Sequence, residues 1–110
     1  MATYEDFVKI DIRVGKVISV EDFPEARKPL YKITVDFGPE IGSKKSAVGC
    51  RDVYSKDQLM GRQVLGLVNM APKKIGPFFS EFLTLGVSDE NNKCILIRPD
   101  REAPLGSRMF

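Results

Sequence analysis

The chain contains no histidine, and that one absence removes most acid–base and nucleophilic chemistry. There is no imidazole to act as a general base, to pair with Ser or Cys, or to bind a metal. Cys50 and Cys94 are the only cysteines. Two are too few for a zinc site, and they are not a disulfide framework. Asp11 and Asp36 sit in strand-like segments with nothing to pair them. Cys50 stands beside Arg51 and reads as a small buried residue rather than an activated thiol. The expectation is a binding protein with no catalytic residue, no metal and no cofactor.

The chemistry that remains is charge and aromatic surface. Lys and Arg number 17 against 15 Asp and Glu, a net charge of +2. The charges are unevenly placed: residues 1–26 carry −3, residues 27–74 carry +6 and residues 75–110 carry −1. Lys32, Lys44, Lys45, Arg51, Lys73 and Lys74 in the middle segment are the candidate phosphate contacts for an RNA partner. Lysines contact phosphate as point charges, so recognition would be by shape rather than by base. The alternative is a solvated surface that keeps the protein soluble.

A second candidate surface is apolar. Phe78 and Phe79 follow Gly76-Pro77. Neighbours on an extended chain face opposite ways, so both rings enter the core only if one lies at its end. Met70 adds an adaptable apolar wall. Met70, Phe78 and Phe79 are therefore the candidate contacts for an unfolded polypeptide.

These groups need a scaffold. The 110 residues suffice for one domain. A chain this size exposes roughly 6,000 Å² folded against roughly 18,000 Å² unfolded, enough burial for a single core. Ile10, Ile12 and Val14 alternate with polar residues, and a phase break at Gly15 suggests a bulge or bend before Val17, Ile18 and Val20. Residues 23–29 form a loop between Pro24 and Pro29, and Tyr31 to Phe37 alternates as a half-buried strand. Ser46 to Cys50 reads as a shorter strand, and Ser55-Lys56-Asp57-Gln58 has the form of a capping box before a short helix. Val64 to Met70 reads as a central strand, Ala71 to Pro77 as a basic loop, and segments 83–87 and 94–97 as further strands. Thr3 is placed to cap a short N-terminal helix. About six strands and one mid-chain helix indicate an all-β fold. A five-stranded OB barrel with its helix between the third and fourth strands fits, with sandwich and SH3-like barrel open on pattern alone.

Three segments carry a family resemblance: Ile10 to Val17, Phe23 to Gly38, and Asn69 to Leu83. In that order they resemble the tRNA-binding OB domain found at the C-terminus of many methionyl-tRNA synthetases. Glu25-Ala26-Arg27-Lys28-Pro29 and Ile75 to Glu81 are similar to the free-standing CsaA-type, export-related chaperones of that family. The resemblance implies the OB barrel, tRNA as a partner through its outer corner, and unfolded or export-destined polypeptide as another. It also implies a homodimer built from N- and C-terminal extensions, here residues 1–9 and 99–110 around a barrel at 10–98. Local chemistry permits this, since Tyr4, Phe7 and Val8 share a helix face and Met109-Phe110 ends the chain in apolar residues. No apolar run approaches a membrane span, and the acidic N-terminus does not read as a signal peptide, so a reducing cytoplasm is expected.

Overall fold

The computed structural model describes residues 1–110. Its elements run α1 (Tyr4–Val8), β1 (Ile12–Asp22), β2 (Tyr31–Asp36), β3 (Ser43–Val48), α2 (Lys56–Leu59), β4 (Gln63–Leu67), β5 (Lys73–Ile75), β6 (Phe78–Ser80), β7 (Leu83–Thr84), β8 (Gly86–Ser88) and β9 (Cys94–Leu96). Five strands form an antiparallel sheet in the order β3-β2-β1-β4-β7, with β5-β6 and β8-β9 as separate hairpins. The sheet curls into a nearly closed five-stranded barrel. Glu81 N–H donates to the Lys45 carbonyl at 2.7 Å, and Lys45 N–H donates to Glu81 Oε1 at 2.9 Å. These bonds, with Ala47 N–H donating to Ser80 Oγ at 3.3 Å, join β3 to the end of β6 and the residue after it and cover its edge.

β1 holds the two halves together. Its first part pairs with β4, from Ile12↔Leu67 to Lys16↔Gln63, and its second part pairs with β2, from Lys16↔Asp36 to Asp22↔Tyr31. The register irregularity falls between Val17 and Ser19, so the bulge is at Ile18 rather than at Gly15. Gly15 serves a different need. A Cβ there would lie 2.3 Å from Val35 Cγ1 and 2.8 Å from the Phe37 ring, so only glycine lets the barrel wall close.

The core follows from alternation. Val17, Ile33, Val35, Phe37, Val64 and Phe82 are buried together, and Phe37 meets Phe82 edge to face at 5.0 Å. α2 plugs the barrel with buried Leu59. Its capping box is formed: Gln58 N–H donates to Ser55 Oγ at 3.2 Å and Ser55 N–H donates to Gln58 Oε1 at 2.7 Å. Thr3 and Asp6 cap α1 in the same reciprocal way. The C-terminal tail is seated on β1, where Met109 N–H donates to the Ile12 carbonyl at 2.8 Å and Val14 N–H donates to Ser107 at 3.0 Å.

Candidate nucleic-acid interface

A groove of about 670 Å³ opens between the β1–β2 connection and the β5-β6 hairpin. Arg27, Lys28, Lys73 and Lys74 line it, with Glu25 as its one acid and Leu30, Ala47 and Ile75 among its apolar lining. Both walls are built locally. Pro24 and Pro29 bracket the basic pair Arg27-Lys28 and keep that connection out of the sheet. Opposite, residues 71–77 are not a plain loop, because Lys73, Lys74 and Ile75 pair with Ser80, Phe79 and Phe78. Gly76, at φ +58°, and Pro77 form the tight turn that sets this pairing. Lys73 and Lys74 therefore stand on a rigid hairpin.

The two phenylalanines divide as the alternation of β6 requires. Phe78 is half-buried, with its ring 5.4 Å from that of Phe23, while Phe79 is 55% exposed. Lys32, on β2, holds its Nζ over both Phe23 and Phe78, at 5.4 and 5.9 Å from the ring centroids. Its charge is thereby fixed on an aromatic support. Met70 lies exposed just before the hairpin.

Lys44 and Lys45 lie within β3 rather than ahead of it, because β3 starts at Ser43. They consequently point to opposite faces. Lys45 shares the face of Ala47, which lines the groove, and lies about 7 Å from it along the strand. Lys44 shares the face of buried Ser46 and Val48. Arg51 is in a turn, not on a strand, and the structure does not bring it to the groove. Its guanidinium lies over the Tyr31 ring at 5.8 Å and reaches Asp22 at 3.8 Å. Lys56 donates to the same carboxylate at 3.0 Å, which with Arg51 holds the Asp22 carboxyl below its ordinary range. The groove adds Arg27 and Lys28, which sequence reasoning did not place in the site. The signal for them was present in a basic pair held between two prolines.

The two ends of the chain meet elsewhere. Tyr4, Phe7, Val8, Met109 and Phe110 surround a cleft of about 190 Å³ together with Arg108. Arg108 Nη2 ties the ends by donating to the carbonyls of Val8 at 2.9 Å and Ile10 at 3.1 Å. Cys50 is buried, and burial beside Cys94 pushes its thiol up to about 12, so it is no nucleophile at neutral pH.

The chain is 41% identical over 106 residues to the methionine–tRNA ligase of Thermococcus onnurineus, which covers 96% of this chain but 14% of the ligase. The crystal structure of the CsaA chaperone protein from Picrophilus torridus superposes with a TM-score of 0.94 at 42% identity, covering 100% of both chains. That of chaperone CsaA from Bacillus anthracis superposes with a TM-score of 0.93 at 38% identity, covering 100% of this chain and 99% of the other. Residues 12–108 match the family described as "Putative tRNA binding domain". Barrel, hairpin and groove all fall inside that match, and the chain belongs to this tRNA-binding-domain family.

Proposed function

We propose that the protein is a non-catalytic tRNA-binding protein that holds the RNA backbone in the groove between residues 25–30 and the β5-β6 hairpin. One observation carries the reading: Arg27, Lys28, Lys73 and Lys74 line one groove that contains a single acid, Glu25. Lys32 and Lys45 extend the positive field along the barrel wall. Recognition is by shape and charge, because the groove's lysines contact phosphate as point charges; the resemblance implies the outer corner of the RNA as the target. The test is a titration of labelled bulk tRNA at about 50, 100 and 200 mM salt. A log–log slope of about −3 to −5, corresponding to roughly four to six neutralised phosphates, is expected. Absence of binding at the lowest salt overturns the reading.

A second reading has its own support. Phe79 is 55% exposed on the hairpin, Met70 is 37% exposed beside it, and Leu30 and Ile75 line the groove. This surface suits the side chains of an unfolded or export-destined polypeptide, and the solved structures cited above are titled as chaperones. Suppression of aggregation of a denatured client, lost in Phe79→Ser, is the expected result; equal suppression by the variant removes this surface from consideration.

The working form is a homodimer through the patch of Tyr4, Phe7, Val8, Met109 and Phe110. The folded chain exposes 7193 Å², about 1,200 Å² above the roughly 6,000 Å² usual for a monomer of its mass. Tyr4 is 74% exposed and Phe110 is 106% exposed. A second copy covers these groups and doubles the number of grooves, which raises avidity for a large RNA. A reducing cytoplasm, where Cys50 and Cys94 stay free, is the proposed compartment.

A further inference from the structure

A second cleft, of about 380 Å³, shares no residue with the groove. It lies where β1, the start of β4 and the chain after β9 come together. Lys16, Arg62, Arg98 and Arg101 line it with Asp100 and Glu102, and Pro99 is the one apolar side chain in its lining. Lys16 lies five positions before Glu21, the partner of Lys32, or about 17 Å along β1.

The backbone that bears these cations is anchored, and none of the four forms an ion pair. Gln63 fixes the chain after β9 with both ends of its amide, donating to the Ala103 carbonyl at 2.7 Å and accepting from Ala103 N–H at 3.0 Å. Just before Arg98, Ile97 is bonded to Leu65 and Leu85. The stretch bearing Arg98 and Arg101 is thus pinned at both ends. The Arg62 guanidinium lies 4.9 Å above the Tyr54 ring, and its Nε is buried with no hydrogen-bond acceptor. Elsewhere, Lys9, Arg13, Arg51, Lys56, Lys93 and Arg108 each reach a carboxylate. In this cleft Asp100 and Glu102 are at hand, yet neither forms an ion pair with any of the four cations. Three arginines and a lysine lining one cleft, with one guanidinium N–H lacking an acceptor, match the several oxygens of a phosphate group.

We propose that this cleft is a phosphate-binding site, and that it receives a phosphodiester of the RNA whose backbone also crosses the groove. The RNA part rests on the reading above; the phosphate part does not. Two copies of the same chemistry, the RNA backbone and free phosphate, are distinguished by the test.

The full-length protein is titrated with bulk tRNA at several salt concentrations and, separately, with inorganic phosphate. The NMR signal of the Arg62 Nε–H group is followed in both. The comparison variants are Arg98→Ala/Arg101→Ala, at two exposed positions, and Lys9→Ala, an exposed lysine outside both clusters. Saturable movement of the Arg62 signal with tRNA and with phosphate is expected. The double variant should lose the phosphate response, and its salt slope should be shallower by about 1 to 2, about one for each lost phosphate contact. Lys9→Ala should keep the wild-type slope. An Arg62 signal indifferent to both ligands overturns the proposal, as does an equal loss of slope in Lys9→Ala. If tRNA does not bind at all while phosphate moves Arg62, the RNA reading fails and the phosphate site stands with free phosphate as its ligand.

Discussion

Phe23 and Phe78 meet edge to face, with ring centroids 5.4 Å apart and planes inclined at 67°. This contact fastens the segment leaving β1 to the β5-β6 hairpin. Lys32 sits over both rings, so the same contact positions a charge.

Phe78→Ala should therefore act on binding as well as on stability. The ring is half-buried, so the expected cost is about 1–2 kcal/mol, below the about 3–5 kcal/mol of a fully buried Phe. Binding of tRNA should weaken as the hairpin loosens. Phe79→Ala, at an exposed position, should stay within about 0.5 kcal/mol of wild type. Urea unfolding of the two variants, side by side, checks the asymmetry; equal losses would contradict it.

Lys73→Ala/Lys74→Ala and Arg51→Ala should separate groove bases from a structural base. The double variant removes two groove cations, so the salt slope of tRNA binding should become shallower by about 1 to 2. Arg51 is engaged with Asp22 and Tyr31, so its loss should change that slope little. Fluorescence titrations across salt decide between these outcomes. A larger effect from Arg51 would move the interface away from the hairpin.

Gly15→Ala should be among the most damaging single-methyl additions in the barrel. The new Cβ meets Val35 Cγ1 at 2.3 Å, and Val35 and Phe37 are both fully buried, so β1 or β2 must shift. A loss of about 3 kcal/mol is expected from overpacking of this kind. Thermal unfolding measures it, and a change under about 0.5 kcal/mol would show that the wall gives way easily.

Alkaline pH should weaken the fold through Cys50. Burial raises its native pKa to about 12 from an ordinary value of 9.0. Between those values the native state keeps a proton that the unfolded chain has released. Stability is therefore fully present below about pH 9 and falls as pH rises, by up to about 1.4 kcal/mol per unit. Cys94 is raised in the same direction, chiefly by burial. Cys50→Ala should show a flatter decline in urea midpoint over this range; parallel declines would mean that other groups dominate.

Phe110→Asp places a charge in the patch formed by the chain ends. Wild type should sediment as a dimer, and the variant should shift toward monomer with the barrel intact. A wild-type monomer at micromolar concentration would refute the proposed assembly.

Much of the barrel was legible locally. Period-two alternation marked Tyr31 to Phe37, and the Ser55–Gln58 spacing marked the cap of α2, because both depend on near neighbours in the chain. The hairpin at 73–80 was hidden, since its strands are only three residues each and read as a basic loop. The bulge was displaced from Gly15 to Ile18 for a related reason. A glycine in a strand signals either a bulge or a close approach, and only the positions of Val35 and Phe37 tell which.

Composition and spacing alone determined the absence of imidazole chemistry, the concentration of bases between residues 27 and 74, and the opposed faces of Phe78 and Phe79. Tertiary structure decided which bases act together. Arg27 and Lys28 line one groove with Lys73 and Lys74, while Arg51 is drawn aside to Asp22. It also gathered Arg62, Arg98 and Arg101 at a second cleft. The physical reason is range: alternation and capping are fixed within a few residues, whereas a field between side chains depends on distances that only the closed barrel sets.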